Sequence, residues 1–287
     1  MKKVFALFLA AMLMLSLTAC GDDASTKKRT VEQPPAFKEA VLIDNDQYAI
    51  IITGIHPNAP DGYTLDAELE NKTADHPYTF ALHHAAINGV QCCPENFCPV
   101  ISAPGKSKEK IVFPDSALRE NGILKYTDIA LTFCVYVRDD PESENAAEET
   151  VHLYPYGKES AAVYVRETAA SDEVIFDNEH TRVTVTGYEE TKDTFFAKLY
   201  FENKTNEELQ FHMDCLSVNG KLFDAPFYYG NHVNLAGKEC AFSRVVYLKN
   251  DLKESGITEV TEMSFYLSAQ KADDDTAFAN ECMILHP

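Results

Sequence analysis

The 287-residue chain contains no tryptophan, although it has 14 tyrosines and 17 phenylalanines. That absence excludes the Cys, Trp, Cys framework on which a true immunoglobulin domain packs. Basic residues are scarce: 25 Lys and Arg stand against 45 Asp and Glu, a balance that repels phosphates and excludes nucleic acid as a partner. The apolar run at residues 4–17 is followed at once by Gly21-Asp22-Asp23 and falls short of the roughly 20 residues that a spanning helix needs. Catalytic signatures are missing. There is no G-x-S-x-G, no H-E-x-x-H, and no S-x-x-K with its companion elements, so the sequence points away from an enzyme. Pro104-Gly105-Lys106-Ser107 is not a P-loop, because Val100 stands where that motif requires glycine. His56, His76, His152, His180, His212, His232 and His286 are scattered without ligand spacing and read as ordinary surface or core histidines.

What is present begins with an export signal. Lys2 and Lys3 precede the apolar stretch, and small residues precede a cysteine, the layout of a secretory leader over residues 1–19. Leu17-Thr18-Ala19-Cys20 resembles the lipobox of bacterial lipoproteins. The resemblance implies cleavage before Cys20, a diacylglyceryl thioether on its sulfur, and a cell-membrane location on the extracytoplasmic face. Residues 20–37, with Lys27-Lys28-Arg29 and Pro34-Pro35, read as the lipidated cysteine and a flexible tether. Removal of residues 1–19 takes away Lys2 and Lys3 and leaves 23 basic residues against 45 acidic ones, formally −22.

The remainder holds one pattern twice. Val41 to Asp46 (VLIDND) returns as Val174 to Glu179 (VIFDNE), Thr53-Gly54 as Thr186-Gly187, and Glu70-Asn71-Lys72-Thr73 unchanged as Glu202-Asn203-Lys204-Thr205. Asn88-Gly89 answers Asn219-Gly220, Gly105-Lys106 answers Gly237-Lys238, and EETVHLYP at 148–155 answers NECMILHP at 280–287. Two modules follow, at residues 38–155 and 172–287, joined by residues 156–171, in which Ala162-Val163-Tyr164-Val165 is apolar enough for a strand.

Within each copy the apolar period is two. Leu65, Ala67 and Leu69 alternate with acids, and Ile129, Leu131, Phe133 and Val135 alternate with smaller or polar residues, which predicts half-buried strands. Asn-Gly pairs between such runs predict two-residue hairpins. Residues 116–121 and 251–255 predict short helical turns. The expected fold is all-β: two tandem Ig-like antiparallel β-sandwich modules. The string of marks D-N-D/E, T-V-T-G, E-N-K-T, N-G, G-K and a terminal Y-P or H-P resembles tandem-repeat lipoproteins of clostridia-like Gram-positive bacteria. That resemblance implies an Ig-like fold at the cell surface and supplies no activity.

The chemistry-bearing stretch is QCCPENFCPV at 91–100. A hairpin at Asn88-Gly89 pairs Ile87 with Val90, Ala86 with Gln91, Ala85 with Cys92, and His84 with Cys93. Three readings stay open. A disulfide of Cys92 or Cys93 with Cys98 leads, given export. A zinc or copper site of His84, Cys93 and Cys98 lacks a fourth ligand and the usual C-x-x-C spacing. Reduced thiols are the third. Cys134 looks incidental, since its repeat partner is Ser268. Acidic stretches at Asp139, Asp140, Glu142 and Glu144 and at Asp273 to Asp275, with Asp44, Asp46, Asp177 and Glu179, lack EF-hand spacing and read as solvated loops rather than calcium sites. Phe227-Tyr228-Tyr229 could present an aromatic platform to a sugar or peptide. The expected function is a membrane-anchored, non-enzymatic scaffold, without an organic cofactor, that binds an extracellular ligand or protein. The alternative is metal binding or redox sensing through His84, Cys93 and Cys98.

Overall fold

In the computed structural model, the described residues are 29–35, 37–94, 96–138, 140, 147–223, 232–272 and 274–287. Cys20 and the Phe227-Tyr228-Tyr229 platform lie outside them. The first module comprises β1 (Ala40–Asp44), β2 (Tyr48–Ala59), β3 (Gly62–Asn71), β4 (Tyr78–Ile87), β5 (Val90–Gln91), β6 (Val100–Ile101), β7 (Gly105–Phe113), α1 (Ser116–Glu120), β8 (Ile129–Val137) and β9 (Ala147–Leu153). The second comprises β10 (Glu173–Asp177), β11 (Thr181–Glu190), β12 (Thr194–Asn203), β13 (Leu209–Val218), β14 (Lys221–Leu222), β15 (His232–Leu235), β16 (Cys240–Leu248), α2 (Lys249–Glu254), β17 (Met263–Lys271) and β18 (Asp274–Leu285).

Each module packs a β1-β2-β3-β7 or β10-β11-β12-β16 sheet against a β5-β4-β8-β9 or β14-β13-β17-β18 sheet. The chain is therefore an all-β antiparallel sandwich, as the alternation requires. Leu65, Leu69, Ile111 and Phe113 from one sheet meet Phe80, Leu131, Phe133 and Val135 from the other, all fully buried. Val185, Leu199 and Phe201 meet Phe211, Phe265 and Leu267 in the second core. One link was not expected. β16 pairs in parallel with β5, Cys240 opposite Val90, which fuses a sheet of each module into a nine-stranded one. Tyr200 and Cys240 of module two are part of the first module's apolar cluster.

The repeated marks turn out to be folding devices. Asn71 is buried at the end of β3. Its amide donates to the carbonyls of His76 and Ile101, and its oxygen accepts from the backbone and hydroxyl of Thr73. Asn203 does the same for Glu207, Leu235, Ala236 and Thr205. Lys72 reaches Asp44 and the Asn45 carbonyl, and Lys204 reaches Asp177 and the Asn178 carbonyl. Those carboxylates are thus neutralised by lysine. Asn88 and Asn219 adopt positive φ, 54° and 49°, followed by Gly89 and Gly220 at 76° and 74°, the geometry of a two-residue hairpin turn. Their side-chain oxygens also accept from Thr127 and Asp128, or Thr261 and Glu262.

Three expectations need correction. Residues 29–31 do not behave as free tether. Val31 is buried in the first core and exchanges hydrogen bonds with Asn58, while buried Arg119 donates to the Arg29 carbonyl at 2.8 Å. Residues 162–165 form no strand. Val163 and Val165 are exposed, and the Tyr164 amide bonding to the Asn88 carbonyl ties that stretch down. Gly105-Lys106 opens β7, whereas Gly237-Lys238 precedes β16. By register Glu70 faces Lys106 and Glu202 faces Cys240, so Lys106 corresponds to Cys240, two residues beyond the sequence match.

Candidate functional site: the inter-module cleft

The outer face of β4, β8 and β9 carries alternate residues left over from the core. In β8 these are Ala130, Thr132, Cys134 and Tyr136, since Ile129, Leu131, Phe133 and Val135 point inward. Docking of β16 on β5 places β15 and the 236–239 turn beside that face. Contacts across the boundary are Cys240 N to Gly89 O at 3.0 Å, Gln91 Nε2 to Asn234 O at 2.6 Å, and Arg244 to Glu120 at 2.6 Å. Tyr164, Tyr200 and Phe242 pack beside them with tilted rings.

A cleft of about 520 Å³ lies between the modules. Its walls include His83, His84, Cys93, Glu148 and Thr150 from the first and Glu208, His232 and Asn234 from the second. It is polar, with hydrogen-bonding groups converging from both sides, and it exists only because the modules dock.

The hairpin register is as the sequence indicates: Ile87 faces Val90, Ala86 faces Gln91, and the Cys92 amide bonds Ala85 O. Cys93 follows beside His84, with its Sγ 3.9 Å from Nδ1 and accepting from Ala85 N at 3.3 Å. His84 is engaged by a carboxylate. Its Nε2 lies 2.7 Å from Glu239 Oε2 of module two, both side chains mostly buried, at 18% and 11% exposure. Burial alone would push the imidazole down. Hydrogen bonds with Cys93 and with Glu239, and the Glu239 charge, outweigh it and hold His84 up to about 10. Raised in this way, His84 serves as the cation of an inter-module ion pair. Glu239 Oε2 also accepts from Ala236 N at 3.1 Å, which orients the carboxylate.

The proposed cysteine partners separate. Cys92 is buried in the first core, and burial pushes its thiol well up. Cys98 is exposed, with its Sγ 3.9 Å from the Tyr136 hydroxyl. All seven described cysteines are free thiols, so the expected Cys92 or Cys93 to Cys98 disulfide is not formed. Nor do His84, Cys93 and Cys98 converge. Among the described residues, the three-member group of potential ligands whose atoms all lie within 4.8 Å of one another is His83, Cys134 and Glu148. Sequence reasoning passed over Cys134 and Glu148, which face one another in the β8 and β9 register. It also passed over Glu239 and over the His212 and His232 pair, whose Nδ1 atoms are 2.6 Å apart. That spacing needs one ring to donate to the other. The alternation in β8 marks Cys134 as outward, but only the β8 and β9 pairing shows what it faces.

No family model matches the chain. No curated protein matches it either. Among solved structures, the crystal structure of red sea bream transglutaminase aligns at 10% identity and a TM-score of 0.24, covering 84% of this chain. This chain spans 31% of that enzyme's length, and a likeness at that score carries no argument.

Proposed function

We propose that this protein is a lipid-anchored, extracytoplasmic binding protein of tandem Ig-like modules, acting without turnover, and that the inter-module cleft receives a polar ligand. The observation that carries the reading is the cleft itself. Its walls bring imidazole, thiol, carboxylate, amide and hydroxyl groups from two modules to one 520 Å³ space, the convergence of polar groups expected of a ligand site. The residues common to both modules are occupied in turns and corners, so recognition falls to residues that differ between them. Anchoring rests on Leu17 to Cys20 and the leader before it, and the acidic balance suits a protein held off an anionic surface.

Two experiments test the reading. Metabolic labelling with a radioactive fatty acid should mark the wild-type protein and not Cys20→Ala; label retained by the variant removes the anchor. Ligand-observed NMR with the full chain in detergent, against a library of sugars, amino acids and short peptides, should give hits that Thr150→Arg abolishes by filling the cleft. Hits untouched by that change would place binding elsewhere, and a complete absence of hits would refute small-ligand capture.

A further inference from the structure

The group His83, Cys134 and Glu148 stands at the rim of the cleft, on three adjacent strands. Each arrives there for a separate structural reason. Cys134 and Glu148 are directly paired across β8 and β9. His83 is the extra residue of a bulge, since Leu82 faces Phe133 and His84 faces Thr132. The bulge turns His83 onto the same outward face.

We infer that His83, Cys134 and Glu148 form a binding site for one zinc ion. The His83 Nδ1 and Glu148 Oε2 atoms are 3.5 Å apart, too long for a strong hydrogen bond. Two N and O ligands on a tetrahedral zinc stand about 3.4 Å apart, given bonds of roughly 2.1 Å. The same two atoms are therefore already spaced for an ion between them, with Cys134 Sγ inside the 4.8 Å envelope. One sulfur, one imidazole nitrogen and one carboxylate oxygen make a borderline donor set. Such a set suits zinc and disfavours calcium and magnesium, which take oxygen ligands.

A fourth tetrahedral position remains for water or another ligand, and Cys98 lies on the same outward face. The carbonyls of Phe97 and Pro99 accept from the amides of Leu82 and Phe80, which lays Cys98 alongside Ala81, the residue paired with Cys134. Cys98 and Tyr136 approach one another on this face.

The donors belong to module one alone. In module two the equivalent pair is Ser268 facing Asn280, and the bulge falls later, between Asp214 and Ser217. The fold tolerates serine and asparagine at these places, so Cys134→Ser and Glu148→Asn are substitutions that it already carries elsewhere. The inference goes beyond the cleft reading and stands whether or not the cleft takes an organic ligand.

Zinc affinity of the full chain, purified in detergent without chelator, would be measured by competition with a chromophoric chelator, and cobalt(II) would be added as a spectroscopic probe. One equivalent of zinc should bind, and cobalt should give a thiolate-to-metal charge-transfer band. Cys134→Ser and Glu148→Asn should each weaken zinc by at least about 100-fold, and Cys134→Ser should remove or diminish the band, while Cys93→Ser should change neither. Absence of a saturable zinc site, unchanged zinc affinity in both variants, or an equal loss on Cys93→Ser would overturn the assignment.

Discussion

Replacing Asn71 or Asn203 by alanine tests whether the shared marks carry the fold. Asn71 donates to His76 O at 2.8 Å and Ile101 O at 3.2 Å, and accepts from Thr73 N at 3.0 Å and Thr73 Oγ1 at 2.8 Å. A net contribution of about 1 kcal/mol per hydrogen bond gives about 4 kcal/mol for the four. Water can reach the half-buried Thr73 hydroxyl, so about 3 kcal/mol is the expected loss. Ile101 is buried, and its carbonyl loses this donor, which keeps the cost from falling much lower. Asn203 makes an equivalent set, and Asn203→Ala should cost its own module a similar amount. For a module of this size the loss corresponds to a Tm decrease of about 12 °C. Asn71→Asp should be worse than Asn71→Ala at pH 7, because a carboxylate would face the His76 and Ile101 carbonyls. Hydrogen exchange read separately over the two modules, with urea unfolding, is the assay. A loss below about 1 kcal/mol for either alanine variant, or a harmless Asn71→Asp, would refute the reasoning.

Glu239→Gln should loosen the inter-module contact by about 2 kcal/mol at pH 6.5, measured by hydrogen exchange at residues 89–93 and 239–242. Because His84 is held up to about 10 against an ordinary value near 6.5, its stabilising contribution is full below about pH 6.5 and fades as pH rises towards 10; the cost of Glu239→Gln should shrink over the same interval, and equal cost at both ends would refute an ionic lock. Arg119→Ala removes the cation that bonds Asp115, Pro57 O and Arg29 O inside module one. Limited proteolysis should then cut the 29–35 segment at least about tenfold faster, alongside a stability loss of about 3 kcal/mol from the uncompensated Asp115 carboxylate; an unchanged cutting rate would show that the segment is held without Arg119.

Much of the fold was legible because it depends on local rules. Period-two alternation in residues 129–135 gives the inward face of β8, and the Asn-Gly pairs give the hairpins down to the Ile87 and Val90 register. The repeat exposed both modules but misled at Gly237-Lys238, where two extra residues precede β16. The site was less legible, since its groups come from different strands and modules. His84 beside Cys93 follows from a hairpin. Glu239 reaches His84 only through the docking of β16 on β5, a contact 155 residues apart. The bulge at His83 leaves no mark in alternation, so Cys134 reads as a stray thiol until β4, β8 and β9 are laid side by side.

The same register sets the docked edge of module two apart from the edge that module one presents. The outward residues of β16 are Cys240, Phe242 and Arg244, and opposite Phe242 on β12 stands Tyr200; Cys240 and Tyr200 are buried, and Phe242 packs against the first core. At the equivalent places β7 carries Lys106, Lys108 and Lys110, with Glu68 opposite Lys108, and all three lysines are exposed. Among the described residues β7 and β14 end their sheets, and Leu222 of β14 is 77% exposed. A second chain could thus repeat the contact, β7 on β14, and extend it head to tail without closing. Charged lysines on β7 oppose this, because pairing would bury them beside Lys221 and Leu222 of β14. Lys106→Ala with Glu68→Tyr and Lys108→Phe reproduces the β16 surface, and sedimentation velocity should show association that grows with concentration. If that triple variant associates no more than the wild type at high concentration, then lysine is not what limits the array, and the β14 edge must be closed by other means.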